Sequence, residues 1–407
     1  MRTVTSIRGR LDVLPTGRNM YSVDPRALPS DLAYETGTRL ADALLASGEI
    51  PETVGIVVWG TAAMRTAGDD AGEILALLGV RPTWHPETRR ITGLEAVPLD
   101  ELGRPRIDVT IRVSGFFRDA FPQLVDLLDD AVTLVAGLDE PVDMNFVRKH
   151  VLADVEELAG DWRAATARVF GGRPGTYGTG ILQLVDVRNW RDDADLAAVY
   201  EAWGGHAYGR GLGGVEARSA MRRQFARIDV AVKNVDTREH DLLDSSDYFA
   251  EHGGMIAYVR HLAGSDPRAV IGDSSDPSKP AARSLAEEAR RVFRSRVANP
   301  RWIGSMMRHG YKGAFELSAT VDYLFGYDAT TGVVEDWMYE QVAERYVGDE
   351  AVRDFMTRSN PWALRAIAER LLEAADRGLW TAPEHASLDL LREAYLDVEG
   401  DLEEASA

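Results

Sequence analysis

The stretch TVGIVVW, residues 53–59, decides the fold class. An unbroken β-branched run of this length reads as a strand buried on both faces of a parallel sheet. Upstream, Ala33, Leu40, Ala41, Leu44 and Leu45 recur at helical spacing, after Pro25 and Pro29 and before Gly48. Downstream, Gly68-Asp69-Asp70 opens a second helical segment carrying Ile74, Leu75, Leu77 and Leu78. Gly79 stands where a left-handed cap belongs. Residues 107–113 (IDVTIRV) read as another strand, and Phe121, Leu124, Leu127, Leu128, Ala131 and Val135 as another helix. This alternation predicts an α/β fold: a mostly parallel sheet flanked by helices over residues 1–140. Ligands of such sheets gather beyond the carboxyl ends of the strands. Two polar-aromatic junctions are expected there, Trp59-Gly60-Thr61 and Ser114-Gly-Phe-Phe-Arg118.

Residues 141–275 form a mixed region, with helical patterns among the glycine-rich stretches GGRPGTYGTG (171–180) and WGGHAYGRGLGG (203–214). Met221, Phe225, Ile228 and Val232 fit one helical face, and a polar loop follows over 234–247. Pro277 and Pro280 suggest a linker, and helical periodicity dominates 276–407. A predominantly α-helical C-terminal region is therefore expected.

Composition narrows the chemistry. The chain has 407 residues, with 46 Lys+Arg against 65 Asp+Glu, a net charge of −19. Such a surface repels phosphate backbones, so no nucleic-acid partner is expected, whereas cations are attracted. The absence of cysteine excludes thiolate zinc sites, iron–sulfur clusters and cysteine nucleophiles. No apolar run reaches the ~20 residues of a membrane span, and no signal peptide precedes the fold, which predicts a cytoplasmic protein. No Gly-Lys dipeptide occurs, so a Walker A loop for ATP is ruled out. Gly209-Arg-Gly-Leu-Gly-Gly214 matches a dinucleotide fingerprint in letters but follows a helix and not a strand, which argues against that use.

Three constellations remain. The loop NVDTREHDLLDSSD (234–247) sets His240 between Glu239 and Asp241, near Asp236, Asp244 and Asp247. Imidazole beside carboxylates suits a divalent cation; the alternative is a solvated acidic turn capping a helix near Tyr248. His309 and Glu316 lie seven residues apart and converge if one helix runs through both, although Gly310 and Gly313 favour a break. Arginines beside glycines and aromatics (Arg18-Asn19, Arg104-Pro-Arg106, Phe117-Arg118) suit ligands with several acid groups, or else surface ion pairs.

The segment LPTGRNMYSVDP (14–25) resembles the PTGRN…DP motif of the large subunits of class I metal chelatases, the CobN-type cobaltochelatase and magnesium chelatase family. The similarity continues through VWGTAAMRTAGDD (57–70), ELGRPRIDVTIRVSGFFRDAFP (101–122), RVFGGRPGTYGTG (168–180), KNVDTREHDLLDSSDYF (233–249) and NPRWIGSMMRHGYKGAFE (299–316). REHDLLDSSDYF (238–249) is closer to the cobalt branch. The resemblance implies ATP-dependent insertion of Co²⁺ into hydrogenobyrinic acid a,c-diamide, on the route to cobalamin. The ATP, with its Mg²⁺, would be used by separate AAA+ partner subunits. The alternatives are the large subunit of magnesium chelatase, which takes Mg²⁺ and protoporphyrin IX, and a non-catalytic tetrapyrrole- or metal-binding fragment. Family members are much longer, which implies a C-terminal portion, with the missing N-terminal part as a candidate partner.

On that task, Arg18, Asn19, Arg104, Arg106 and Arg118 are expected to hold the peripheral acid groups. Trp59, Phe117, Tyr177 and Trp190 are expected to wall the macrocycle. His240 with Glu239 and Asp241, then His309 with Glu316, are the expected proton-handling groups. His240, Asp244 and Asp247 are the expected metal ligands.

Overall fold

The computed structural model describes residues 23–406, which divide into two compact units. The first comprises the chain up to Glu239 together with Ala250–Ser284; the second comprises His240–Phe249 and Leu285–Ala407. This differs from the three segments expected at 1–140, 141–275 and 276–407. The reason is strand pairing, because the first two segments contribute to a single sheet.

That sheet has eight strands. In chain order the strands of the first unit are β1 (Thr53–Val58), β2 (Val80–Trp84), β3 (Ile91–Ala96), β4 (Asp108–Val113) and β5 (Val169–Gly171). They continue with β6 (His206–Gly209), β7 (Leu212–Glu216), β8 (Val230–Val235), β9 (Arg268–Asp273) and β10 (Ala281–Ser284). The spatial order is β10-β9-β8-β1-β4-β5-β6-β7, while β2 and β3 form a separate hairpin. β9, β8, β1, β4 and β5 are mutually parallel; β10 at one edge and the β6–β7 hairpin at the other are antiparallel. Every residue of β1, β4 and β8 is buried. This is the mostly parallel sheet that TVGIVVW predicts.

Two segments depart from the sequence reading. The helix carrying Met221 and Phe225 ends at Phe225, and Val232 lies in β8, so the apparent 228–232 continuation of the helical face is a strand. Pro277 and Pro280 sit in the turn between β9 and β10, not in an interdomain linker.

Helices cover the sheet because their apolar stripes need a partner. The helix Asp31–Ala46 buries Ala33, Leu40, Ala41 and Leu44 and begins at a Ser30 cap whose hydroxyl accepts the Ala33 N–H. It crosses the fully buried helix Asp69–Leu78 through two glycines. A Cβ on Gly37 would lie 2.2 Å from the Glu73 backbone nitrogen, and one on Gly72 would lie 2.7 Å from the Ala33 carbonyl oxygen. Only hydrogen fits there, so glycine sets the depth at which Asp69, Asp70 and Glu73 enter the fold.

The second unit is helical, as expected of the C-terminal region. Gly310–Thr331 and Pro361–Asp376 are its long central helices. Tyr339 stacks on Trp380 at 5.8 Å between ring centroids and donates its hydroxyl to Asp328 Oδ2 at 2.8 Å. Two wider π-helical turns, Phe293–Val297 and Ala343–Gly348, interrupt the regular pattern. Among the described residues no helix is long and apolar enough to cross a membrane.

Candidate functional site at the sheet switch point

β1 leads to β4 on one side, and β8, its other neighbour, leads to β9 on the opposite side. The crevice beyond the carboxyl ends of β1 and β8 is therefore the topological switch point, where open α/β sheets bind ligands. Trp59 follows the last residue of β1 there. The parallel register pairs Val57 with Lys233, and side chains two apart on a strand share a face, so Lys233 and Trp59 meet. The Lys233 ammonium lies 4.2 Å from the indole centroid, a cation–π contact, and the lysine is 1% exposed.

The next residue, Asn234, points to the other face and bridges two buried acids. Its amide donates to Asp70 Oδ1 at 3.0 Å and to Glu73 Oε2 at 2.5 Å. Burial pushes Glu73 up to about 8 and raises Asp70, with Lys233 opposing both. Burial likewise pulls Lys233 below the usual amine range, against the attraction of Asp70 and Asp236. Arg65 closes the crevice by a bidentate pair to Asp236 at 2.7 and 2.8 Å. Across the sheet, Val57 also pairs with Arg112, whose Nε donates to Glu251 at 3.0 Å while its Nη1 is buried without a hydrogen bond. Groups whose proton affinity is displaced, gathered at a ligand-binding crevice, are suited to proton transfer.

The expected site residues distribute unevenly. Trp59 is at the crevice. Arg118 and Tyr177 lie beyond β4, the adjacent strand. Arg118 is buried and donates Nη1 to the carbonyls of Gly172, Arg173 and Thr176 at 2.9, 2.9 and 3.2 Å. Its guanidinium also pairs with Asp119, to which the exposed Tyr177 donates its hydroxyl at 2.8 Å. Arg118 thus holds a loop, and Tyr177 offers an exposed ring. Phe117 is fully buried against Phe121, and Trp190 is 7% exposed, so neither presents a ring to a ligand. Arg104 and Arg106 precede β4 and sit at the opposite end of the sheet. A six-residue strand separates them from the crevice by ~20 Å. Arg104 has no ligand role there: it donates to the carbonyls of Ala76 and Leu77 at the end of the helix Asp69–Leu78. Arg106 binds Glu140 in a bidentate pair and the carbonyls of Gly79 and Val97. Arg18 and Asn19 lie outside the described residues.

In the second unit, Arg296 takes Asp241 in a bidentate pair at 2.8 and 2.7 Å and reaches Asp244 at 3.1 Å. Asp244 Oδ2 also accepts the Asp241 N–H at 2.7 Å. The acidic loop is therefore an arginine-bound turn, in which His240 and Asp247 are exposed. Among the described residues no group of three or more His, Asp or Glu is placed to hold a metal ion, so His240, Asp244 and Asp247 do not form a preassembled ligand set. Glu239 belongs to the first unit, and its N–H donates to Thr237 Oγ1 at 3.1 Å. His309 is an exposed junction residue: the helix Pro300–Arg308 ends before it, and Gly310 turns the chain with φ +56°. The seven-residue spacing consequently does not run along one helix, and Glu316 pairs instead with Lys312 at 2.7 Å.

Lys233, Asn234, Asp70 and Glu73 are functional candidates that the sequence reading misses. The available signal is Lys-Asn closing the otherwise apolar run VAVKNV (230–235), an unfavourable place for two polar side chains unless they have partners.

Comparison with known proteins fits this arrangement into a family. The CobN/Magnesium Chelatase family model matches residues 5–387. The aerobic cobaltochelatase CobN protein of Sinorhizobium sp. is 49% identical over 385 residues, which is 92% of this chain and 30% of that protein. The H-type large subunit of the magnesium chelatase of Chlorobaculum parvum is 36% identical over 408 residues, 98% of this chain and 32% of that protein. The solved catalytic subunit of cobaltochelatase from Mycobacterium tuberculosis superposes with a TM-score of 0.92 at 62% identity, covering 93% of this chain and 33% of that one. The chain thus spans about a third of the length of the relatives it matches. With a family match over nearly its whole length, the chain belongs to the CobN/magnesium chelatase family.

Proposed function

We propose that this chain is part of the large subunit of an ATP-dependent cobaltochelatase that inserts Co²⁺ into hydrogenobyrinic acid a,c-diamide in cobalamin biosynthesis. Separate AAA+ subunits hydrolyse the ATP. The observation that carries the reading is the Lys233–Trp59 contact at the switch point, next to Asp70 and Glu73. Insertion of a divalent ion requires ring N–H protons to leave as metal–nitrogen bonds form. A lysine whose ammonium is destabilised by burial can accept such a proton as a neutral amine, and Trp59 supplies a flat apolar surface beside it. The higher identity to the Sinorhizobium cobalt enzyme than to the Chlorobaculum magnesium enzyme, 49% against 36%, favours the cobalt branch.

His240 keeps a role in this reading as an exposed imidazole that binds Co²⁺ transiently or accepts a proton, with Glu239 and Asp247 as carboxylates of the same segment. Arg296 positions the segment through Asp241 and Asp244. His309 with Glu316 is the second candidate pair.

The test is a reconstituted assay with partner ATPase subunits and ATP, comparing Co²⁺ with Mg²⁺ and corrinoid with porphyrin. Co²⁺ insertion into the corrinoid is expected. Preference for Mg²⁺ and protoporphyrin IX would move the chain to the magnesium branch, and binding without turnover would make it a tetrapyrrole-binding fragment. Replacing His240 with Ala is expected to abolish insertion while tetrapyrrole binding persists; unchanged turnover removes His240 from the mechanism.

A further inference from the structure

The two glycine-rich stretches, which the switch-point site does not use, enclose a second feature of the first unit. They line a cavity of about 880 Å³ whose walls include Arg173, Thr176, Trp203, His206, Glu216 and Arg218. That volume is within the range of small-molecule sites. We propose that this cavity is a binding site for a carboxylate-bearing planar ligand, and specifically that it receives a peripheral acid side chain of the tetrapyrrole. The proposal rests on the chelatase reading above.

The charge pattern selects an acid group. The chain carries a net charge of −19, yet this wall presents two guanidiniums. Arg218 is tied to Glu216 at 3.0 Å, and both side chains are about half exposed or more. Such a pair is weak and exchangeable. Arg173 makes no side-chain hydrogen bond or ion pair among the described residues, while its carbonyl is fixed by Arg118 and by the Thr176 N–H and hydroxyl. A guanidinium fork left open in an acidic protein matches a carboxylate in charge and shape. Glu216 would repel an anion if Arg218 did not occupy it.

The site is also built in advance. Arg118 binds three carbonyls of the 172–176 segment, and its guanidinium lies between the rings of Tyr177 and Tyr208 at 5.7 and 5.9 Å. The Tyr208 hydroxyl donates to the Gly172 carbonyl. Gly214, at φ +82°, lets Pro174 approach: a Cβ would lie 2.6 Å from Pro174 Cγ. Arg118 is accordingly a positioning residue for Arg173. His206 faces Glu216 across the β6–β7 pair, and its Nδ1 is buried without a hydrogen-bond partner. Trp203, 37% exposed, supplies the flat wall.

The test uses the full chain and deuteroporphyrin IX as probe, with its dimethyl ester as the uncharged control, followed by the absorption shift on titration. Arg173→Ala and Arg218→Ala, both at exposed positions, are each expected to weaken binding of the diacid roughly 10-fold, as loss of a charge-assisted pair predicts. Ester binding should be unchanged and Arg173→Lys should recover part of the loss. Wild-type binding of the diacid with no loss in either variant, or an equal loss for acid and ester, overturns the cavity assignment and leaves the chelatase reading intact. A folded wild-type chain that binds neither porphyrin nor corrinoid overturns both.

Discussion

The Lys233 ammonium sits 4.2 Å from the centre of the Trp59 indole, on adjacent parallel strands whose chains leave in opposite directions. Two residues far apart in sequence meet because β8 returns to the free side of β1, and the Val57–Lys233 register then aligns them on one face. Placing a cation here is costly in desolvation and only partly offset by the ring. Replacement by an apolar side chain of similar length should therefore cost the fold little. Lys233→Met is expected to change unfolding free energy by less than ~1 kcal/mol while lowering metal insertion roughly 100-fold, the loss of a proton-accepting group. Thermal denaturation beside the reconstituted assay checks both; unchanged turnover would remove Lys233 from the chemistry.

Glu73 gives the fold a pH dependence. Burial raises its carboxyl from the ordinary 4.5 to about 8. The folded state thus holds a proton that the unfolded chain releases above pH 4.5. Its contribution is fully present below that value and is lost as pH climbs through about 8. The upper bound on that loss is roughly 5 kcal/mol. Denaturant midpoints measured from about pH 5 to 8.5 are expected to fall, and Glu73→Gln, which stays neutral beside Asn234, should flatten the decline. A parallel fall in the variant would assign it to other groups.

How much of the fold and site is legible in the sequence depends on whether neighbours in space are also neighbours in pattern. β1 and β4 announce themselves because both faces are buried and β-branched residues dominate each run. β8 hides because Met221, Phe225, Ile228 and Val232 keep helical spacing across a helix, a turn and a strand. The crevice acids hide because Asp70 and Glu73 look like ordinary first-turn carboxylates of an amphipathic helix, and only the Gly37–Gly72 crossing buries them. Arg104 and Arg106 mislead for a related reason: arginines near glycine and proline suit a ligand's acids, but they equally suit the open carbonyls at a helix end. Residue types can be read directly; the competition for buried partners is decided only by the fold.

The Gly37–Gly72 crossing makes a separate prediction. A methyl on Gly37 meets backbone atoms of Asp69, Gly72 and Glu73 at 2.2–2.7 Å, which cannot yield as a side-chain tip would. Gly37→Ala should force the two helices apart and cost ~2–3 kcal/mol, typical of overpacking. It should also displace Asp70 and Glu73 from Asn234. The expected readout is a lowered thermal midpoint with a flattened stability profile between about pH 5 and 8. A midpoint unchanged from wild type would show that the helices do not pack this closely.

Arg296 provides the sharpest separation between structural and chemical roles in the acidic loop. It holds Asp241 by two hydrogen bonds and Asp244 by a third contact, and burial raises the Asp244 carboxyl against that attraction. Removing the guanidinium leaves two carboxylates repelling each other in a half-buried turn. Arg296→Ala should therefore cost ~1–3 kcal/mol and speed amide exchange across residues 240–249. If the turn serves to present His240, turnover should fall in Arg296→Ala more than tetrapyrrole affinity does, because the imidazole itself is retained but no longer held in place. Arg296→Lys, which restores the charge without the bidentate geometry, should recover stability only in part. Unaltered exchange in the alanine variant would mean that the turn is held by its own backbone bonds, and His240 would then owe its placement to Asp241 and Asp244 alone.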